Sequence, residues 1–210
     1  MDEGDKLQQL ADFMTTQNSL LMEKIGPFLL RNAWLAVAPA IEGIISGGQQ
    51  SPPSVVVRLE SGEMAVMALD VEFAPGMRGQ IVSAAISQYF EQTSARIVGG
   101  AVFSEAYLIM SETEDIDWEG LGKGELPDSQ EVVLCALFDG LSGTPSAGFA
   151  PIVRDGASPY LGEWAELQKS VSSSFCGDLI QGLALSVTSA HVASIARDYQ
   201  MAQEDPTKMV

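Results

Sequence analysis

Two apolar runs joined by a short turn constrain the fold of this chain more than any other feature. The runs are Val55–Leu59 and Met64–Leu69, and Ser61-Gly62 lies at the turn between them. Strands separated by so few residues pair antiparallel, because a parallel connection needs a crossover of a dozen residues or more. The pattern therefore predicts a β-hairpin.

Further strand-like runs follow in the second half of the chain. Arg96–Met110 is predicted to form one long strand with a β-bulge at Gly99-Gly100, because glycine inside a strand is typical of bulges. The remaining runs are Val132–Phe138 and Gly148–Val153 on either side of a glycine-rich turn at Asp139–Ala147, and a short run at Tyr160–Trp164. Without that last short run, the sequence predicts five strands.

Segments with helical periodicity lie before, between and after these strands in the sequence. Residues 7–25 place their apolar side chains on one face, and Phe28–Ile45 is apolar on nearly every side. A helix without a polar face is either deeply buried or covered by another subunit. Two more helices are predicted, one starting at Phe73–Pro75, where proline suits the first turn, and one over Asp178–Met201.

These elements predict an α+β fold of order α-ββ-α-βββ-α, with helices flanking a mostly antiparallel five-stranded sheet. A chain of 210 residues suits a single domain. We expect a helical N-terminal segment over 1–46, a linker over 47–54 and an α+β body over 55–203. The order is similar to that of profilin-like and roadblock-type domains, many of which are dimerisation or scaffolding modules. The likeness is one of element order alone, and no family is assigned.

The charge balance limits the partners that this chain can have. Lys and Arg number 11 against 28 Asp and Glu, so the net charge is −17. Because basic side chains make most phosphate contacts, we expect no nucleic-acid partner and no attraction to an anionic membrane. The acidic first residues lack the positive charge of a signal peptide, and charges and prolines interrupt the most hydrophobic stretch, Ile25–Ser46. We therefore expect a soluble, cytoplasmic protein.

Histidine and cysteine, which most zinc sites and many nucleophilic sites use, are scarce in this chain. His191 is the only histidine, and neither Cys135 nor Cys176 belongs to a zinc-binding pair. Cys176 and His191 are 15 residues apart, about 22 Å along a continuous helix, which is too far for a Cys–His pair. Gly120–Gly124 contains Gly-Lys but lacks the first glycine and the Ser or Thr of a P-loop. We expect no metal site and no cofactor.

A carboxylate in a strand offers the strongest case for an enzyme. Strand alternation places Glu105 on one face with Phe103 and Tyr107, and a carboxyl group among aromatic rings can have a raised pKa. Arg58 and Arg154 lie in other strand-like runs and are candidate partners for Glu105. An exposed sheet face or one structural ion pair explains the same pattern. We therefore favour a protein without catalytic activity.

Three hypotheses about function follow. The favoured one is a non-catalytic interaction or assembly protein that forms homo-oligomers, with Trp34 and Leu35 of the apolar helix in the contact. The second is a small enzyme that uses Glu105 in a pocket. The third is an acidic partner-binding protein, in which the loop over 111–130, with Trp118 as an anchor, binds a basic protein.

Overall fold

A central antiparallel sheet organises the chain in the computed structural model, which describes residues 3–71, 73, 76–109, 129–156, 158–167 and 174–204. The strands are β1 (Ser54–Leu59), β2 (Met64–Ala68), β3 (Ile97–Leu108), β4 (Gln130–Asp139), β5 (Thr144–Val153), β6 (Tyr160–Leu161) and β7 (Ala165–Glu166). The helices are α1 (Glu3–Ile25), α2 (Leu30–Ser46), α3 (Arg78–Thr93) and α4 (Ser174–Glu204).

The strands lie in the order β2-β1-β3-β4-β5-β6, β7 also pairs with β5, and every pairing is antiparallel. The predicted α+β class with a mostly antiparallel sheet is confirmed. The five-strand count and the element order are wrong in detail, because β6 and β7 add two-residue strands and two separate helices precede the first hairpin. Strands of two residues are too short to produce an alternation pattern in the sequence.

The β4–β5 hairpin is tighter than the sequence predicted. The turn expected over Asp139–Ala147 is wrong in length, because β5 begins at Thr144 and its first residue already pairs with Asp139. The Asp139 carboxylate closes the turn by accepting hydrogen bonds from the Ser142 hydroxyl at 2.8 Å and the Leu141 N–H at 3.3 Å. Gly143 then adopts a φ of 69°, which glycine reaches at no steric cost.

The irregularity of β3 is displaced by one residue from the bulge predicted at Gly99-Gly100. Both glycines pair regularly with β4, and the irregularity in the β1–β3 pairing lies one residue earlier, where Val98 has no partner in β1. The glycines instead let side chains from other segments approach the sheet closely on both sides. A Cβ on Gly99 would lie 2.6 Å from the Phe28 ring, and one on Gly100 would lie 3.0 Å from Leu183.

Helix α2 covers one face of the sheet. Its buried residues recur every three or four positions, which is the spacing of one helix face, and they are Leu30, Ala33, Val37, Ile41 and Ile45. They join a core with sheet residues that include Val56, Phe103, Val133, Cys135 and Leu137. The apolar run that marked this helix therefore serves first to bury one face of the sheet.

Helices α3 and α4 cover the other face, and α1 packs beside α4. The second core joins α3 and α4 to strands β1, β3 and β4 through Val57, Val82, Ile86, Val102, Ala136, Leu179 and Leu183. Helix α1 runs antiparallel to α4, because Gln9 contacts Tyr199 while Asn18 contacts His191. The N-terminal helices thus pack on the sheet and helices of their own chain. The helix predicted to start at Phe73–Pro75 begins later, at Arg78.

One stretch of α4 passes a composition test for crossing a membrane. Within the described residues, Gly177–Gln203 is long enough and has a mean hydropathy of 1.4, and half of it is buried inside the protein. A helix in the core of a fold passes the same test, because its apolar residues face the sheet. Helices α1 and α2 pass together only as a pair bent by 57°.

Candidate interaction surface

Helix α2 leaves the side opposite the sheet exposed, and we call this side the outer face of α2. Its exposed residues are Arg31, Asn32, Leu35, Ala36, Pro39, Ala40, Glu42, Gly43 and Ser46. Leu35 lies near the middle of this face with 63% of its surface exposed. Leu29, just before the helix, is also exposed and extends the apolar surface at one end.

The charges on the outer face balance, although those of the whole chain do not. One positive and one negative charge lie on it, whereas the whole chain carries −17. Alanine, proline and glycine lose almost no side-chain entropy when a partner covers them. Single exposed apolar residues are normal on protein surfaces, but a continuous apolar strip with balanced charge is typical of an interaction site.

Trp34 lies on the sheet side of α2, away from the outer face. Its ring stacks on Trp164 at a centroid distance of 4.8 Å and lies 6.0 Å from Phe103. Gly148 makes room for this stack, because a Cβ there would lie 2.4 Å from the Trp164 ring. Trp34 therefore attaches α2 to its own sheet, and a surface on the outer face depends on Leu35 instead.

Strand β2 is a second exposed apolar feature. It is one edge of the sheet, and its five residues, Met64–Ala68, carry no charge. Val66 pairs with Val56 on the α2 side of the sheet, yet half of its surface is exposed because α2 does not cover this edge. An uncharged edge strand can pair with another strand, so β2 is a rival contact surface to the outer face of α2.

Glu105 lies toward the C-terminal end of β3, on the α2 side of the sheet. The register places it opposite Val133, and one carboxylate oxygen accepts a hydrogen bond of 2.5 Å from the Ser51 N–H. Burial raises the pKa of Glu105, as does the nearby charge of Glu131, while the Ser51 bond and Arg154 lower it. The net direction is upward, so the neutral acid is favoured relative to a carboxyl group in water.

The two candidate arginine partners of Glu105 have different environments. Arg154 lies close enough to interact electrostatically with Glu105, but it binds both carboxylate oxygens of Glu131, at 2.6 and 2.8 Å. Arg58 is buried at the other end of the sheet, opposite Gly99 in the register. The structure thus brings Glu105 and Arg154 into one cluster and leaves Arg58 outside it.

Arg58 has a structural environment of its own. Its guanidinium donates hydrogen bonds to the carbonyl oxygens of Ile25 and Gly26, where α1 ends, and lies 5.7 Å from the Phe28 ring. Burial lowers the pKa of Arg58, and the charge of Asp139 partly opposes that effect. Arg58 therefore attaches the α1–α2 connection to the sheet.

An open groove of about 540 Å³ lies on the opposite side of the sheet, between α3 and α4. Its walls are mostly small or polar residues, including Ser83, Ser87 and Gln181. The groove forms where the two helices touch through Gly79 and Gly182, because no large side chain fills the space beside the crossing. Sequence reasoning did not single out this groove, although glycines inside helices are a signal for close packing.

His191 lies where α4 packs against α1. It is buried, its Nε2 lies 2.7 Å from Asn18 Oδ1, and its Nδ1 has no hydrogen-bond partner. Burial lowers the pKa of His191, and the charge of Arg96 lowers it further, against a smaller opposing effect from the Ile97 backbone. The ring is therefore held neutral as a packing contact. Among the described residues, no cluster of His, Cys, Asp or Glu has the size that a metal ion needs.

Two residues discussed from the sequence lie outside what the structure describes. Trp118, with nearly all of the predicted binding loop over 111–130, is outside the described residues, and so is the Cys176 side chain. The chain matches no protein-family model, no curated protein and no solved structure. Its function is therefore inferred from its own geometry.

Proposed function

We propose that this protein is a non-catalytic assembly module that associates with itself through the outer face of α2. The exposure of Leu35 carries the proposal, because this side chain lies in the middle of an apolar strip on a helix that packs on the sheet. Covering apolar surface is favourable by about 25 cal/mol per Å². A partner surface on this strip would recover that free energy without first ordering a flexible segment.

The charge distribution supports a second copy as the partner. With a net charge of −17, most surfaces of two copies repel each other. Repulsion is weakest where opposite charges balance, and Arg31 and Glu42 balance on the outer face of α2. Two identical faces can also meet about a two-fold axis, which is the commonest symmetry of homo-oligomers.

The test compares two leucines with nearly equal exposure. Leu35 is 63% exposed on α2, and Leu185 is 61% exposed on α4, on the other side of the sheet. Native mass spectrometry and sedimentation velocity should find a dimer for the wild type and for Leu185→Glu, and a monomer for Leu35→Glu. Circular dichroism checks that both variants are folded. A wild-type monomer, or a dimer that survives Leu35→Glu, would overturn the proposal.

A third variant separates the outer face of α2 from the edge strand β2. Val66→Lys places a charge on the open edge, where lysine discourages pairing between strands. If α2 forms the contact, Val66→Lys leaves the dimer intact. If the dimer dissociates with Val66→Lys and not with Leu35→Glu, self-association takes place at the sheet edge and the role of α2 is refuted.

A small enzyme at Glu105 is the alternative function. Support comes from the raised pKa of Glu105 and from the nearby Arg154, a pairing that suits an acidic or amide ligand. Native mass spectrometry of gently purified protein would detect such a ligand as added mass. The expected result under this alternative is that Glu105→Gln remains folded and loses the added mass, whereas Leu35→Glu keeps it.

A further alternative is binding to a basic protein through the acidic loop over 111–130, with Trp118 as the anchor. Its support is the sequence, which places six acidic residues in 112–125. Charge-driven binding weakens as salt screens it. An affinity for a basic partner that stays constant between low and high salt would exclude this mode.

A further inference from the structure

We infer that two copies pair through antiparallel α2 helices, with Arg31 of each copy beside Glu42 of the other. The inference rests on the proposed self-association and adds the orientation of the pair. Arg31 and Glu42 are both exposed, and within the described part of the chain neither side chain makes an ion pair or a hydrogen bond. Two exposed opposite charges on one apolar helix face are therefore free to meet charges of a partner.

Helix geometry places both charges on the same flank of α2. Arg31 and Glu42 are 11 residues apart, which is three turns with a remainder of about 20°, and about 17 Å along the axis. Leu35 lies on the same flank, because it follows Arg31 by four residues. We call Arg31, Leu35 and Glu42 the charged flank. It has a positive end, an apolar middle and a negative end.

An antiparallel pair matches the charged flank to itself. When two α2 helices run in opposite directions about a two-fold axis between positions 36 and 37, each Arg31 lies beside the Glu42 of the other copy. The two Leu35 side chains then lie within about 5 Å of each other along the axis. A parallel pair about a two-fold axis would place like charges together. Only the antiparallel pair gives two attractive contacts.

Charge reversal tests the orientation directly. In an antiparallel dimer, Arg31→Glu and Glu42→Arg each turn two attractive contacts into two repulsive ones, so each should raise the Kd by about tenfold or more at low salt. The double variant restores both attractive contacts and should return the Kd to within about threefold of the wild type. An equal mixture of the two single variants should form heterodimers, which native mass spectrometry separates by mass.

The Glu42→Arg variant also separates specific pairing from general repulsion. It replaces a negative charge with a positive one, so the net charge rises by two from −17. If repulsion between acidic copies were the main effect, this variant would bind itself more tightly. The antiparallel pair predicts weaker binding instead. Both sites are exposed, so the fold should be retained, and circular dichroism checks this.

A zero-length cross-link gives an independent readout. Arg31→Lys keeps the positive charge and supplies a primary amine, which a carbodiimide can join to a carboxylate in direct contact. Positions 31 and 42 of one copy are about 17 Å apart, too far for such a bond. A peptide linking position 31 to Glu42 must therefore join two copies. The matched control is the same treatment of Arg31→Lys combined with Glu42→Gln, which should lack that peptide.

The outcomes separate this inference from the function on which it rests. Weakened single variants, a restored double variant and the 31–42 cross-link support the antiparallel pair. A wild-type dimer whose Kd is unchanged by either single reversal overturns the antiparallel pair and leaves self-association standing. A wild-type protein that is monomeric at every concentration overturns both.

Discussion

An alanine substitution at Gly182 tests how closely α3 and α4 cross. A Cβ added at Gly182 would lie 2.4 Å from the Gly79 carbonyl oxygen and 2.6 Å from its Cα, closer than the 3.4 to 4 Å of ordinary contacts. The opposing atoms are backbone and cannot rotate away. Gly182→Ala must therefore push the helices apart by about 1 Å, and both helices pack on one sheet through fully buried residues such as Val82 and Leu183.

The expected magnitude is the difference between two opposing effects. Alanine is the better helix former by about 1 kcal/mol. Overpacking costs about 1–3 kcal/mol, and a rigid backbone neighbour places Gly182→Ala near the upper end. The net loss is then about 2 kcal/mol of unfolding free energy, which for a chain of this size corresponds to a Tm lower by about 4–8 °C.

Gly177 is the matched control in the same helix. It has no atom within 4 Å of an added Cβ, and like Gly182 it lacks a positive φ. Gly177→Ala should therefore raise stability by up to about 1 kcal/mol through helix propensity alone. Thermal and urea unfolding measure both variants. If Gly182→Ala is as stable as the wild type or more stable, the close crossing of α3 and α4 is refuted.

Three further predictions concern charged and titratable residues. Because the pKa of Glu105 is raised, its ionised form destabilises the fold at neutral pH. Thermal unfolding should therefore find Glu105→Gln at least as stable as the wild type at pH 7. The stability advantage of the variant should shrink as pH falls to about 4.5. A loss at pH 7 would contradict this, since glutamine can still accept the Ser51 bond. The pKa of His191 is lowered, so the unfolded chain takes up a proton first and stability should fall below about pH 6.5. His191→Asn should flatten that slope between pH 6.5 and 5 in urea titrations, and an unchanged slope would show that other groups cause it. Arg58→Met should lower the free energy of unfolding by about 3 kcal/mol, because it removes two hydrogen bonds from a buried charge to the end of α1. The control is Arg154→Met at an exposed ion pair, which should change the free energy of unfolding by less than about 1 kcal/mol.

Local patterns in the sequence determined most of the elements. The β1–β2 hairpin followed from two apolar runs and a glycine turn, and α1, α2 and α4 begin and end within four residues of their predicted bounds. Such patterns are local because backbone hydrogen bonds and side-chain periodicity depend on neighbours in the chain. The class of the fold and its antiparallel sheet were therefore predictable.

Tertiary contacts decided the roles of the glycines and of the short connections. Gly99 and Gly100 suggested a bulge, but their function is to admit Phe28 on one side and Leu183 on the other. Those side chains come from the α1–α2 connection and from α4, both far away in the chain, so no local pattern could indicate them. The early start of β5 likewise depends on hydrogen bonds that only the folded Asp139 carboxylate makes.

The candidate site also has features that the sequence predicted and features that only the tertiary structure decided. The apolar composition of α2 by itself indicated a buried or subunit-covered helix, and it placed Leu35 among the candidates. Which side of α2 stays exposed depends on its packing against the sheet, which includes the stack of Trp34 with Trp164, residues 130 positions apart. Similarly, strand alternation predicted that Glu105 shares a sheet face with Phe103. Its distance from Arg58 follows only from the strand register, in which six residues of β3, about 20 Å, lie between them. Sequence determines which residues share a face, because that depends on local geometry, whereas the neighbour of each face is decided by packing between distant segments.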